Sequence, residues 1–122
     1  MIIKDYYIEY EGEDEFYFIL ERRSGEKHIL KMMTWSFDNI MRLIEPENGK
    51  WVGMAYYYHV DDDGWYMGDK PWKIPDIKSF IKQLDKVDLS ELDDLDKEVF
   101  KSIYSLLIDA EMNEESVYIL RD

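Results

Sequence analysis

The apolar residues of this chain change period once along its length, and that change limits the possible fold more than any other feature. Near the N-terminus they alternate. Ile2, Tyr6, Ile8 and Tyr10 fall on one face, with Asp5 and Glu9 on the other. In "FYFILE", Phe16, Phe18 and Leu20 share one side, and "KHILKMM" returns after the glycine-bearing turn "RRSGE". Period two is the signature of half-buried strands, and a short Gly-containing connection makes the last two a hairpin. From Pro75 onward the spacing becomes three and four. Ile77, Phe80, Ile81 and Leu84 form one stripe, and Leu92, Leu95, Val99, Ile103, Leu106 and Ala110 form a longer one. These stripes predict two helices, one with Pro75 at its first position and one opening near Ser90. "SVYIL" near the end predicts a last strand. The expected fold class is α+β, a single domain over 1–122 with an antiparallel sheet in the N-terminal half and C-terminal helices packed on it.

Two segments between these halves are less determined. In Ser36–Glu45, the positions Phe37, Ile40, Met41 and Ile44 have helical spacing with Ser36 as a possible cap, yet "IMRLI" and "EPENGK" also suit a hairpin. Trp51–Val60 is apolar on both faces and predicts a strand in the sheet's interior or beneath a helix. "DDDG" then turns the chain and "WYMG" is expected to pair back.

Composition bounds the function. Hydrophobic residues make up 46% of the 122 and aromatic residues 16%, enough for one real core. With no cysteine, disulfides, thiol nucleophiles and Cys-based zinc sites are excluded. No stretch approaches a membrane span, and "MIIKDYYIEYEGEDE" does not read as a signal peptide. The expectation is a cytoplasmic protein with no membrane contact. Twenty-eight acids against fifteen bases give a formal net charge of −13. That field repels nucleic acid and attracts basic partners, although acidity also serves solubility alone.

The stretch "WVGMAYYYHVDDDGWYMGDKPW" concentrates the candidate chemistry. As an EF-hand loop with Gly64 at position six it fails, because His59 stands at position one and Lys70 at position twelve. A looser cation site through Asp61, Asp62, Asp63 or Asp69 competes with a plain Asp-Gly hairpin turn. His28 and His59 are a conceivable acid–base pair, but each is more simply a packing residue. No nucleophile elbow, phosphate loop or cofactor motif accompanies them, so neither enzyme nor cofactor is expected. Trp65, Tyr66 and Trp72 lie in a short acidic segment with Gly64, Gly68 and Pro71. They read either as interface anchors flanked by acids or as rings folded over the sheet edge. The expected partner-binding set is Asp61, Asp62, Asp63, Trp65, Tyr66, Asp69 and Trp72. Lys78, Lys82 and Lys86 stand four apart and are too sparse for a nucleic-acid site; they are expected to answer the acids of the second helix.

The early hairpin "EFYFILERRSGEKHILKMM", the aromatic "WVGMAYYYHV" and the helical "IPDIKSFIKQL", in a short acidic chain without cysteine, resemble the small immunity proteins of bacterial contact-dependent inhibition and related polymorphic toxin systems. The resemblance spans the chain and has no diagnostic motif, so it transfers no binding residues. It implies an inhibitor of one cognate toxin domain, often a nuclease, whose cationic active site it masks. Alternatives are an acidic nucleic-acid mimic or adaptor, and a small enzyme or cation-binding protein.

Overall fold

The structure, a computed structural model, describes residues 1–7, 12–60 and 70–121. Three early strands, β1 (Ile2–Asp5), β2 (Glu15–Glu21) and β3 (Lys27–Met33), are followed by helices α1 (Thr34–Met41) and α2 (Gly53–His59). A two-residue strand β4 (Trp72–Lys73), helices α3 (Ile77–Asp85) and α4 (Asp94–Met112), and strand β5 (Ser116–Arg121) complete the order. The sheet runs β1-β3-β2-β5-β4, so the last long strand lies beside β2. Ile8 and Tyr10 lie outside the described residues, as do the "DDDG" and "WYMG" segments.

The alternation in β2 does what its period requires. Phe16, Phe18 and Leu20 are buried, and across the ladders they meet Met32, Leu30, Ile119 and Val117 on the same face. α1, α3 and α4 supply the other half of this core through Phe37, Ile40, Phe80, Leu84, Val99, Ile103 and Leu107. The Phe16 and Phe37 rings stack at 4.3 Å, and Phe18 meets Phe37 edge-on at 5.7 Å. Fully burying one such ring is worth about 1.5–3 kcal/mol. The turn between β2 and β3 closes with Arg22 N–H on the Glu26 carbonyl at 2.8 Å, and Gly25 sits at φ +91°, where a side chain would be strained.

Several expectations need correction. The sheet is mainly antiparallel, but β1 runs parallel to β3. The β2–β3 hairpin places β3 between β1 and β2, antiparallel to β2 and parallel to β1. The ambiguous segment is helical, and α1 begins at Thr34 with Met33 as its cap residue, so Ser36 is a buried residue of the first turn. Asn48 and Gly49, at φ 51° and 77°, do form a two-residue turn closed by reciprocal Glu47–Lys50 backbone bonds. Helices rather than strands flank it. The largest difference is Trp51–Val60, which forms α2 and not a strand. An apolar run on both faces cannot separate a buried strand from a short helix. Met54 and Ala55 bury together, and Tyr58, one turn on, meets Phe37 at 5.8 Å. Tertiary packing therefore overrode the aromatic preference for strands.

In the C-terminal half the stripes held and the starts moved. Pro75 stands just before the α3 cap Asp76, whose Oδ1 accepts from Ser79 N–H at 2.9 Å. Ser90 lies in a 3-10 turn over Leu89–Glu91, and α4 opens after Asp93, which accepts from Asp96 N–H at 2.8 Å. Each side chain satisfies an amide that the helix leaves unpaired. Lys86 pairs with Glu47 at 3.5 Å and not with α4. Among the described residues no helix is long and apolar enough to cross a membrane.

Arg22 ties the end of β2 to both C-terminal elements. Its guanidinium donates to Asp109 at 2.8 and 2.6 Å and to Glu115 at 2.7 Å. These bonds hold both carboxyls below their ordinary range. A depressed carboxylate contributes stability that is present above its unfolded pKa and lost as pH falls through its folded value. Arg22→Met is therefore expected to lower Tm clearly at neutral pH, because Glu115 loses its counterion. The gap between variant and parent should close below about pH 4, where carboxyls protonate. Thermal unfolding followed by circular dichroism from pH 3 to 7 checks this.

A candidate binding groove along helix α3

α3 carries two stripes. The apolar one faces the core. The other runs through its cap Asp76, then Ser79, Gln83 and Lys86, at spacings of three, four and three that keep all four on one side. Over ten residues at 1.5 Å each, this line extends for about 15 Å. The segment from Arg42 to Tyr57 lies against it, and a cleft opens at each end.

The first cleft, about 340 Å³, is lined by Trp51 just before α2, by Tyr56 and Tyr57 within it, and by Ile74, Asp76 and Ser79 from the entry and first turn of α3. Tyr56 is exposed at 43%. The rings are held from behind. Trp51 stacks on His59 at 3.8 Å, and Tyr57 packs on Trp72 at 5.3 Å. Among the described residues the lining includes one carboxylate and no basic side chain.

The second cleft, about 540 Å³, is lined by Arg42, Glu45, Glu47, Gln83, Lys86, Asp88 and Glu91 among others. Among the described residues four carboxylates stand there against two cations. Arg42 is engaged with the Asn39 side-chain oxygen at 3.1 Å, and Lys86 with Glu47. Asp88 is held below the ordinary carboxylate range by the Ser90 hydroxyl and amide.

Between the clefts the walls touch. Gly53 sits at φ +58°, and a Cβ there would lie 2.8 Å from Ser79 Oγ and 3.2 Å from Gln83 Nε2. The Gln83 amide nitrogen donates to the Val52 carbonyl at 2.8 Å. Glycine is required twice over, for its left-handed backbone and for the close approach of α2 to α3.

Of the expected binding residues, Trp72 alone is described. It is half-buried on β4, folded over the sheet edge against Tyr57. Asp61, Asp62, Asp63, Trp65, Tyr66 and Asp69 lie outside the described residues. His28 bonds Glu26 at 2.8 Å and His59 stacks on Trp51; among the described residues no hydrogen bond or ring contact joins the two. Burial lowers the His59 pKa from its ordinary value, against the opposing bond to the Met41 backbone. Tyr58 is shifted up, first by burial and then by its bond to Asp38 at 2.6 Å. Among the described residues no group of three metal-ligating side chains is found. The polar stripe of α3 is masked in the sequence by the regular four-residue spacing of Lys78, Lys82 and Lys86. The three-four-three spacing of Asp76, Ser79, Gln83 and Lys86 was the available signal.

Two outcomes test this geometry. Gly53→Ala is expected to destabilise the fold, since a left-handed alanine alone costs about 1–2 kcal/mol before the clash with Ser79; urea unfolding measures it. His59 should titrate with a midpoint below 6.5 in an NMR pH series. Its folded pKa is depressed, so stability is full above 6.5 and declines as pH falls below it.

No family model, no curated protein and no solved structure matches the chain, so the reading of its function rests on these side chains.

Proposed function

We propose that this chain is an immunity-type inhibitor that binds a basic protein domain stoichiometrically, a nuclease toxin being the class whose chemistry fits best. A nuclease gathers Lys and Arg to hold phosphates, and an acidic surface competes for that site. The observation that carries the reading is the groove along α3, with aromatic rings at one end and surplus carboxylate at the other. Aromatic rings give large contact area at low entropic cost, and carboxylates add steering and charge-assisted hydrogen bonds. The net charge of −13 extends the attraction to long range at low salt. Asp61, Asp62, Asp63, Asp69, Trp65 and Tyr66 are the further candidate contact residues in this reading, on their chemistry alone, and Trp72 backs Tyr57.

Affinity capture of the tagged chain from its native host, with washes of rising salt, is the direct test. The expected result is one basic protein retained at equal stoichiometry, whose nuclease activity the chain suppresses. With that partner in hand, replacing Asp61, Asp62 and Asp63 by Asn should slow association several-fold and flatten its salt dependence. A bound partner that is neutral or acidic, or an on-rate at low salt untouched by the triple change, counts against the reading.

A further inference from the structure

The aromatic cleft has the lining of a site for a single organic cation. Among the described residues it holds three aromatic rings, one carboxylate, Asp76, and no basic side chain. Its surface can be reached from solvent. Tyr56 is exposed at 43% and Val52 at 37%, and Pro75 and Asp76 are exposed beside them. The rings of Tyr56 and Tyr57 stand at 80° to each other with centroids 5.6 Å apart, which makes two walls near a right angle. Tyr57 is held by Trp72 and Trp51 by His59, so these walls do not have to be assembled when a ligand arrives. Aromatic rings attract a cation within about 6 Å of their centroids, and a nearby carboxylate adds to the attraction. Asp76 accepts from the Ser79 amide through Oδ1, and among the described residues its other oxygen makes no hydrogen bond.

We infer that the aromatic cleft seats the ammonium head of a lysine from the basic partner, with Tyr56, Tyr57 and Trp51 as the rings it meets and Asp76 as its counter-charge. The inference rests on the reading of the chain as a binder of a basic protein, and it names the group that is read. Lysine suits the cleft better than arginine for a geometric reason. An ammonium is a compact charge that meets two orthogonal walls at once, whereas a planar guanidinium stacks on one ring and leaves the other edge-on. The four-carbon stem of lysine also lays apolar surface along Val52 and Pro75 while its head keeps part of its water at the open mouth.

The test uses small probes and the intact chain. N-acetyl-lysine amide is titrated at low salt while NMR follows the backbone signals of 51–57 and 74–79, with N-acetyl-norleucine amide and N-acetyl-arginine amide as controls. Norleucine offers the same apolar stem without the charge. The expected result is saturable lysine binding localised to those signals, about fivefold or more weaker for norleucine, as the loss of one cation–π contact implies, and weaker for arginine. Tyr56→Leu keeps an apolar side chain at an exposed position and removes the ring; it should weaken lysine about fivefold and leave norleucine unchanged. Asp76→Asn removes the charge and keeps a good helix cap, and should weaken lysine about threefold at low salt. Lysine that shifts no cleft signal, binds no better than norleucine or arginine, or ignores both variants overturns the site. The two readings fail separately. A captured basic partner indifferent to Tyr56→Leu and Asp76→Asn removes the lysine site and leaves the inhibitor, whereas a cleft that binds lysine in a chain that retains no basic protein does the reverse.

Discussion

The contact between the inner face of β2 and the Phe37 ring of α1 organises the rest of the molecule. Phe16, Phe18 and Phe37 are each fully buried and mutually in ring contact, where sheet and helices meet. Removing a buried phenylalanine typically costs about 3–5 kcal/mol, against a total stability of about 5–15 kcal/mol for an ordinary domain. The groove inherits this anchor. Tyr58 meets Phe37 edge-on and donates to Asp38, so α2 is seated on α1, and Gly53 then lets α2 approach α3. The aromatic cleft is open at its mouth because its rings are fixed at their backs.

A charge of −13 on 122 residues works against compaction, and the chain offsets it locally. Asp76, Asp88 and Asp93 spend their charge on the first amides of the C-terminal helical elements, where helix dipoles favour it. Asp109 and Glu115 close on Arg22, and buried Asp96 accepts from Asn39. Glu45 and Glu91 have no such internal use among the described residues and stand beside a cleft. Carboxylates that do not stabilise the fold are the ones free to serve a partner.

The sheet was legible because alternation over β2 and β3 is a strong local signal that the core did not have to contradict. The long α4 stripe was legible for the same reason, over five turns. Helix starts were less so. Asp93 and Ser90 are both good cap residues, and the difference lay in the Asp88–Ser90 bonds that fold Leu89–Glu91 into its own short turn. α2 was misread since seven residues are too few for a helical period to separate from a run of apolar side chains. Trp72 packs half-buried against the core and Tyr57, a property of the sheet edge and not of its neighbours in sequence.

The sequence by itself determined the class of fold, the order of sheet before helices, the acidic character and the absence of any thiol chemistry, because each depends on local period or on counting. Tertiary structure alone decided that Trp51–Val60 is a helix and that the polar stripe of α3 borders a groove. It also decided that the Gln83 amide is buried against Val52. These are consequences of which faces meet at distances set by Gly53 and Phe37, and a one-dimensional pattern does not contain such distances.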